Sequence, residues 1–73
     1  MKTYLSLWFN SNGDRPSEVT KKLKKLGFKV TTGNYDYEFD WHGSVKTDDI
    51  LLLGDKVQAM LKGSNVSFKL EST

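Results

Sequence analysis

Residues 28–41 read FKVTTGNYDYEFDW, and this stretch decides the fold. Two runs rich in aromatic and β-branched residues flank Gly33-Asn34, a pair that can take the positive φ values of a two-residue hairpin turn. A turn at this pair sets Lys29 opposite Glu38 and separates an apolar face from a polar one. The apolar face holds Phe28, Val30, Thr32, Tyr35, Tyr37, Phe39 and Trp41, and the polar face holds Lys29, Thr31, Asp36, Glu38, Asp40 and His42. The stretch therefore predicts a β-hairpin in one fixed register.

The segment before the hairpin predicts a strand and then a helix. Residues 3–9 alternate in the way typical of a half-buried strand, and the turn-forming run NSNG at 10–13 ends it. Asp14 is a good N-cap, Pro16 fits the first helical turn, and Gly27 can supply a left-handed residue that ends the helix. The apolar side of the strand carries Leu5, Leu7 and Phe9, and the apolar stripe of the helix carries Val19, Leu23 and Leu26.

The segment after the hairpin predicts a second helix and a last strand. Thr47 is the expected N-cap of this helix, and Gly63 is expected to end it. Gly54 lies at the edge of its apolar stripe, where the lack of a side chain would let a neighbour approach closely. The stripe holds Ile50, Leu53, Val57, Met60 and Leu61, and the last strand alternates through Val66, Phe68 and Leu70.

The predicted order is strand, helix, strand, strand, helix, strand. Because crossovers within one sheet are right-handed, this order favours two split βαβ units with strand order 4-1-3-2 and antiparallel neighbours. The arrangement resembles the ferredoxin-like fold over nearly the whole chain. It implies an α+β protein with a single domain, residues 1–73, and both helices on one face of the sheet. The covered face is expected to carry Leu5, Leu7, Phe9, Phe28, Val30, Tyr37, Phe39, Phe68 and Leu70.

Composition narrows the classes of function. The chain has 73 residues, 11 basic and 9 acidic side chains, and a formal net charge of +2, which by itself does not indicate a polyanionic partner. It contains no cysteine, so neither a disulfide framework nor a thiolate metal site can form. Neither a signal peptide nor a membrane span is recognisable, and we expect a cytoplasmic protein without a membrane partner.

The uncovered face of the predicted sheet is the first candidate site. Alternation directs Tyr4 and Trp8 outward on a central strand, where no loop of so short a chain is expected to cover them. The interface candidates on this face are Tyr4, Trp8, Lys29, Asp36, Glu38, Asp40 and Lys69. We predict that this face binds a protein partner or a second copy of the chain. The alternative is that the two aromatic side chains simply cover the sheet.

Other surfaces stay open as alternatives. Leu51 and Leu52 fall off the buried stripe of the second helix and form a rival apolar patch. Exposed aromatics on a four-stranded sheet also resemble the RNA-recognition fold, but carboxylates on the third strand repel phosphate, so nucleic acid is not the expected partner. The solvent side of the first helix could meet phosphates or an acidic partner, although such a charge run is usually a solvated face. It carries Lys21, Lys22, Lys24 and Lys25.

The loop before the first helix suggests a small-ligand alternative. Asp14-Arg15-Pro16 followed by Val19 resembles the D-R-P-G-x-[LV] opening of ACT domains, which are ferredoxin-like modules that bind amino acids. The glycine that lets a ligand approach the backbone in that family is Ser17 here. The resemblance implies a ligand loop made of Asn12, Gly13, Asp14, Arg15 and Ser17.

Catalytic patterns are missing from the sequence. His42 is the single histidine, and no serine lies at a recognisable nucleophile motif. Glu38, Asp40 and His42 alternate along a strand, a spacing of about 6.6 Å that does not converge on one metal ion. No phosphate-binding loop or dinucleotide fingerprint is present. We therefore expect a non-catalytic protein without a cofactor or a metal.

Overall fold

The computed structural model describes residues 1–72 of the chain. Its elements are β1 (Lys2–Trp8), α1 (Pro16–Leu26), β2 (Lys29–Val30), β3 (Tyr37–Asp40), α2 (Thr47–Leu61) and β4 (Ser67–Ser72). The four strands form one antiparallel sheet in the order β2-β3-β1-β4, so the predicted order 4-1-3-2 is confirmed. This βαββαβ chain is an α+β protein with the topology of the ferredoxin-like fold.

The hairpin has the predicted register. Lys29 lies opposite Glu38 and Val30 lies opposite Tyr37. Gly33 has a φ of 103°, a value that residues with a Cβ rarely adopt, so a glycine suits this turn. Asn34 does not have a positive φ, so the prediction for the pair is correct at Gly33 and wrong at Asn34. β2 nevertheless includes only two residues.

A β-bulge at the start of β3 changes the face on which one predicted residue lies. Leu5 is paired with Tyr37, yet the N–H of Asp36 also donates to the carbonyl oxygen of Leu5 at 3.1 Å. Two residues on one side of the ladder thus oppose one residue of β1, which is the definition of a bulge. The Asp36 carboxylate accepts the N–H of Leu7 at 2.8 Å and replaces a ladder acceptor. The bulge interrupts the alternation of side chains between the two faces of the sheet. Tyr35 lies on the uncovered face with Tyr4, so its predicted position on the apolar face was wrong.

Both helices pack on the face of β1 that carries Leu5 and Leu7. The buried cluster consists of Leu5, Leu7, Val19, Leu23, Phe28, Tyr37, Leu53, Val57 and Leu61. Two residues expected in it are exposed instead: Phe9 at 42% and Val30 at 59%. Phe9 follows the last residue of β1, and Val30 ends a very short edge strand, so neither lies under a helix.

The two helices begin without the predicted side-chain caps. The N-cap residues are Arg15 and Lys46, and neither makes a side-chain capping hydrogen bond. Thr47 is instead the first residue of α2. The Asp14 carboxylate does not cap α1, because it binds Ser64 and Lys22 instead, as described below. Gly27 ends α1 as predicted, with a φ of 107°.

The predicted close approach at Gly54 is present. A Cβ on this residue would lie 3.4 Å from Cδ1 of Leu70, so α2 packs closely on β4 at this point. The side of α2 that carries Gly54 therefore faces β4. Gly63, which was expected to end α2, lies just beyond it with a φ of 86°, after the C-cap residue Lys62.

A buried hydroxyl group joins three strands. The side chain of Thr3 is fully buried, and its Oγ1 accepts a hydrogen bond from Trp41 Nε1 at 2.8 Å. The same oxygen lies 2.8 Å from the hydroxyl of Ser72. The ends of β1 and β4 and the residue after β3 are thereby fixed to one another.

Candidate association surface

The uncovered face of the sheet carries the even-numbered residues of β1. Tyr4, Ser6 and Trp8 alternate with the buried Thr3, Leu5 and Leu7. Trp8 is 57% exposed, whereas Tyr4 is partly buried. Alternation along the strand therefore predicts the correct face for both aromatic residues. In the structure, however, Trp8 is more exposed than Tyr4.

Tyr35 covers Tyr4. The two rings stack with their centroids 4.6 Å apart and an interplanar angle of 18°. The Tyr35 hydroxyl donates a hydrogen bond to a carboxylate oxygen of Glu71, so the side chain reaches across β1 to β4. This hydrogen bond to Glu71, followed by partial burial, raises the pKa of Tyr35. The expectation that no loop would cover Tyr4 was wrong, because the bulge turns Tyr35 onto this face.

Charged side chains on this face pair with one another. Lys69 Nζ lies 2.7 Å from the carboxylate of Glu71, and Lys2 Nζ lies 3.4 Å from that of Glu38. The hydrogen bond from Lys69, and then that from Tyr35, lowers the pKa of Glu71. The partner carboxylates likewise raise the pKa values of Lys69 and Lys2. These pairs are partly accessible to solvent, so each contributes little to stability, but within each pair the positive and the negative charge compensate each other.

The remaining predicted members of the interface have local roles. The Asp36 carboxylate binds the backbone of Leu7, as shown above, and is therefore not a free charge at the rim of the face. Asp40 accepts the backbone N–H of His42 at 2.8 Å, and this bond lowers the pKa of Asp40. Lys29 is exposed on β2. Within residues 1–72, no cluster of three or more metal-binding side chains is present.

Trp8 is the aromatic residue of this face that stays accessible. It is the last residue of β1 and lies opposite Ser67 of β4, whose small side chain leaves the indole ring uncovered. We define the Trp8 surface as Trp8, Ser6 and Ser67.

The rival leucines point to different sides of α2. Leu51 is 63% exposed and Leu52 is 54% exposed. Leu52 lines a groove between the helices, with Leu26 and Trp41 among its other walls. Leu51 is three residues before Gly54 and therefore shares the side of α2 that faces β4. The two residues do not form one patch.

The predicted ligand loop is docked against the loop after α2. The Asp14 carboxylate accepts hydrogen bonds from the Ser64 hydroxyl at 2.7 Å and from Lys22 Nζ at 3.1 Å. These contacts, with Ser64 first, lower the pKa of Asp14. The Asp14 N–H donates to the Ser64 carbonyl oxygen at 2.9 Å, and a Cβ on Gly13 would clash with that oxygen. Gly13 and Asp14 thus join two loops.

The other predicted members of that loop add no converging polar groups. The Asn12 N–H donates to the side chain of Asn10, and both Arg15 and Ser17 are exposed. None of the observed contacts of this loop favours the small-ligand alternative over a structural role.

The fold and this surface define a small βαββαβ protein with one side of its sheet uncovered. Comparisons with protein-family models, with curated proteins and with solved structures find no match to the chain. No helix within residues 1–72 has both the length and the apolar character needed to cross a membrane.

Proposed function

We propose that this protein is a non-catalytic association module that binds another protein through the Trp8 surface. The observation that carries the proposal is the 57% exposure of the indole ring of Trp8, the last residue of β1, which pairs with Ser67 of β4. Tryptophan is enriched among the residues that dominate binding energy at protein interfaces. A ring fixed on a strand also loses little conformational freedom on binding.

The electrostatics of the uncovered face support a protein partner. Lys69 pairs with Glu71, and Lys2 pairs with Glu38, so the face combines an exposed aromatic residue with charges that are already neutralised. Interface centres are poor in free charges, and rims are polar. We expect the partner to present an apolar recess for the indole ring. A nucleic acid needs free cations for its phosphates, whereas Lys2 and Lys69 are paired with carboxylates.

Site-specific crosslinking tests this proposal. A photoreactive phenylalanine analogue is placed at Trp8 in one variant and at Leu52 in a matched variant, since both side chains are more than half exposed. We expect irradiated cells to yield a discrete protein adduct from position 8 that is weak or missing from position 52. Mass spectrometry then identifies the partner, which is purified for binding measurements.

Affinities measured with the purified partner decide the outcome. We expect Trp8→Ala to weaken binding by about 2 kcal/mol or more, while Leu52→Ala changes it little. Loss of binding in Leu52→Ala alone would move the interface to the groove between the helices and contradict the proposal. An adduct with RNA at position 8, or none with any protein, would also refute it.

A further inference from the structure

The outer strand β4 has a free edge. It is the last strand of the sheet, and β1 is its one neighbouring strand within residues 1–72. Its sequence, SFKLES, contains no proline, and the charges of Lys69 and Glu71 compensate each other. The unpaired N–H and C=O groups of such an edge are a template for pairing with another strand.

The hydrogen-bond pattern shows which groups of β4 face this edge. The carbonyl of Leu5 and the N–H of Leu7 are both directed towards β3, where Asp36 binds them. The even-numbered residues of β1 are therefore directed towards β4, where Tyr4 lies opposite Glu71 and Ser6 opposite Lys69. By the same alternation, the backbone groups of Phe68, Leu70 and Ser72 are directed away from β1.

The sequence of β4 is complementary to itself in an antiparallel pair. When Leu70 lies opposite Leu70 of a second copy, each Lys69 lies opposite a Glu71, and each Phe68 lies opposite a Ser72. A shift of two residues in either direction would instead oppose Lys69 to Lys69 or Glu71 to Glu71. Directly opposed like charges destabilise a pair of strands, so charge selects the central register.

A partly apolar surface beside the edge supports the same pairing. Leu51, on the side of α2 that faces β4, is 63% exposed. Further along, an open groove between α2 and β4 is lined by Ala59, Val66 and Phe68 together with polar residues that include Asp55, Gln58 and Lys62. In the central register the two copies of α2 lie on the same side of the joined sheet. A second copy would then cover surface near Leu51 and part of this groove.

We propose that two copies of this chain associate through β4 in an antiparallel pair centred on Leu70, which joins their sheets into one of eight strands. The pairing forms about six backbone hydrogen bonds, from Leu70 to Leu70 and from Phe68 to Ser72. Each Glu71 carboxylate then lies between Lys69 of its own chain and Lys69 of the other. This interface goes beyond the proposed function, since the Trp8 surface of each copy stays free.

Charge reversal in the purified chain tests the register. Sedimentation velocity is measured up to a concentration on the order of 1 mM for wild type, Lys69→Glu, Glu71→Lys and the double variant. Each single variant opposes like charges twice per dimer, so we expect about tenfold weaker association or more, and the double variant restores it. Lys29→Glu on the opposite edge strand is the control for Lys69→Glu, because both substitutions lower the net charge by two.

Amide hydrogen exchange provides a second measurement. If the Lys69–Glu71 pair only stabilised the monomer, the exchange rates in β4 would not depend on the concentration of the chain. We expect the amides of Phe68 and Leu70 to become protected as the concentration rises, while those of Lys69 and Glu71, already bonded to β1, do not respond. Unfolding midpoints are measured for all variants to check that the fold persists.

The proposal is refuted by a wild-type chain that stays monomeric throughout this concentration range. It is refuted equally by association that Lys69→Glu leaves unchanged. Association that Trp8→Ala abolishes and Lys69→Glu does not affect would assign self-association to the Trp8 surface. If the chain dimerises through β4 but no protein is crosslinked at position 8, the dimer proposal is supported and the proposed function alone is refuted.

Discussion

Replacing Thr3 with valine should destabilise the protein by about 1–3 kcal/mol, the range for leaving a buried or half-buried donor without a partner. The two side chains have nearly the same shape, so the substitution removes the hydroxyl without opening a cavity. Trp41 Nε1, which donates to Thr3 Oγ1 at 2.8 Å, is left without its acceptor, and Trp41 is partly buried against the core. Ser72 is exposed and can turn to water, so its lost contact adds little.

Urea unfolding followed by far-ultraviolet circular dichroism measures this effect. We expect a lower midpoint with an unchanged slope, and a melting temperature lower by roughly 4–20 °C for a domain of this size. Ser72→Ala is the matched control and should change stability by less than about 0.5 kcal/mol. In a Trp41→Phe background, Thr3→Val should have a much smaller effect, because no donor remains to be orphaned. Equal effects of Thr3→Val in both backgrounds would refute the reasoning.

Two further predictions concern the turn and the ligand loop. Gly33→Val should cost about 1–2 kcal/mol in unfolding measurements through backbone strain alone, since nothing lies within 4 Å of the added Cβ; an unchanged midpoint would contradict the positive φ. The pKa of Asp14 is lowered, so its carboxylate stabilises the fold fully above its ordinary pKa of 3.8 and loses this effect as the pH falls through the lowered pKa. Wild type should therefore exceed Asp14→Asn in stability near neutrality and approach it in strong acid; a difference independent of pH would argue against the contacts with Ser64 and Lys22.

The sequence predicts the fold where local and long-range preferences agree. Gly33 takes the positive φ that the turn needs, and the Lys29–Glu38 register follows from it. Alternation in β1 correctly separates Leu5 and Leu7 from Trp8. These patterns repeat at fixed periods, and a one-residue shift would expose the core, so few other arrangements are consistent with them.

The predictions from sequence are wrong at residues whose contacts do not follow the repeating pattern. The bulge at Asp36 inserts a residue without a distinctive sequence signal, and Tyr35, which directly precedes it, lies on the face opposite to the predicted one. Asp14 has the chemistry of an N-cap, but its carboxylate binds Ser64, which is 50 residues away. Local rules cannot predict such a competition because the partner is known only from the folded structure.

The position of β1 within the sheet has a consequence for synthesis of the chain. This first strand pairs on both sides with strands made later, and Thr3 meets Ser72 across a separation of 69 residues. A nascent chain therefore carries Leu5 and Leu7 with one or both strand edges unpaired until β4 has left the ribosome. Native pairing of the sheet has to wait for β4, and β1 is the segment that a chaperone would have to shield until then.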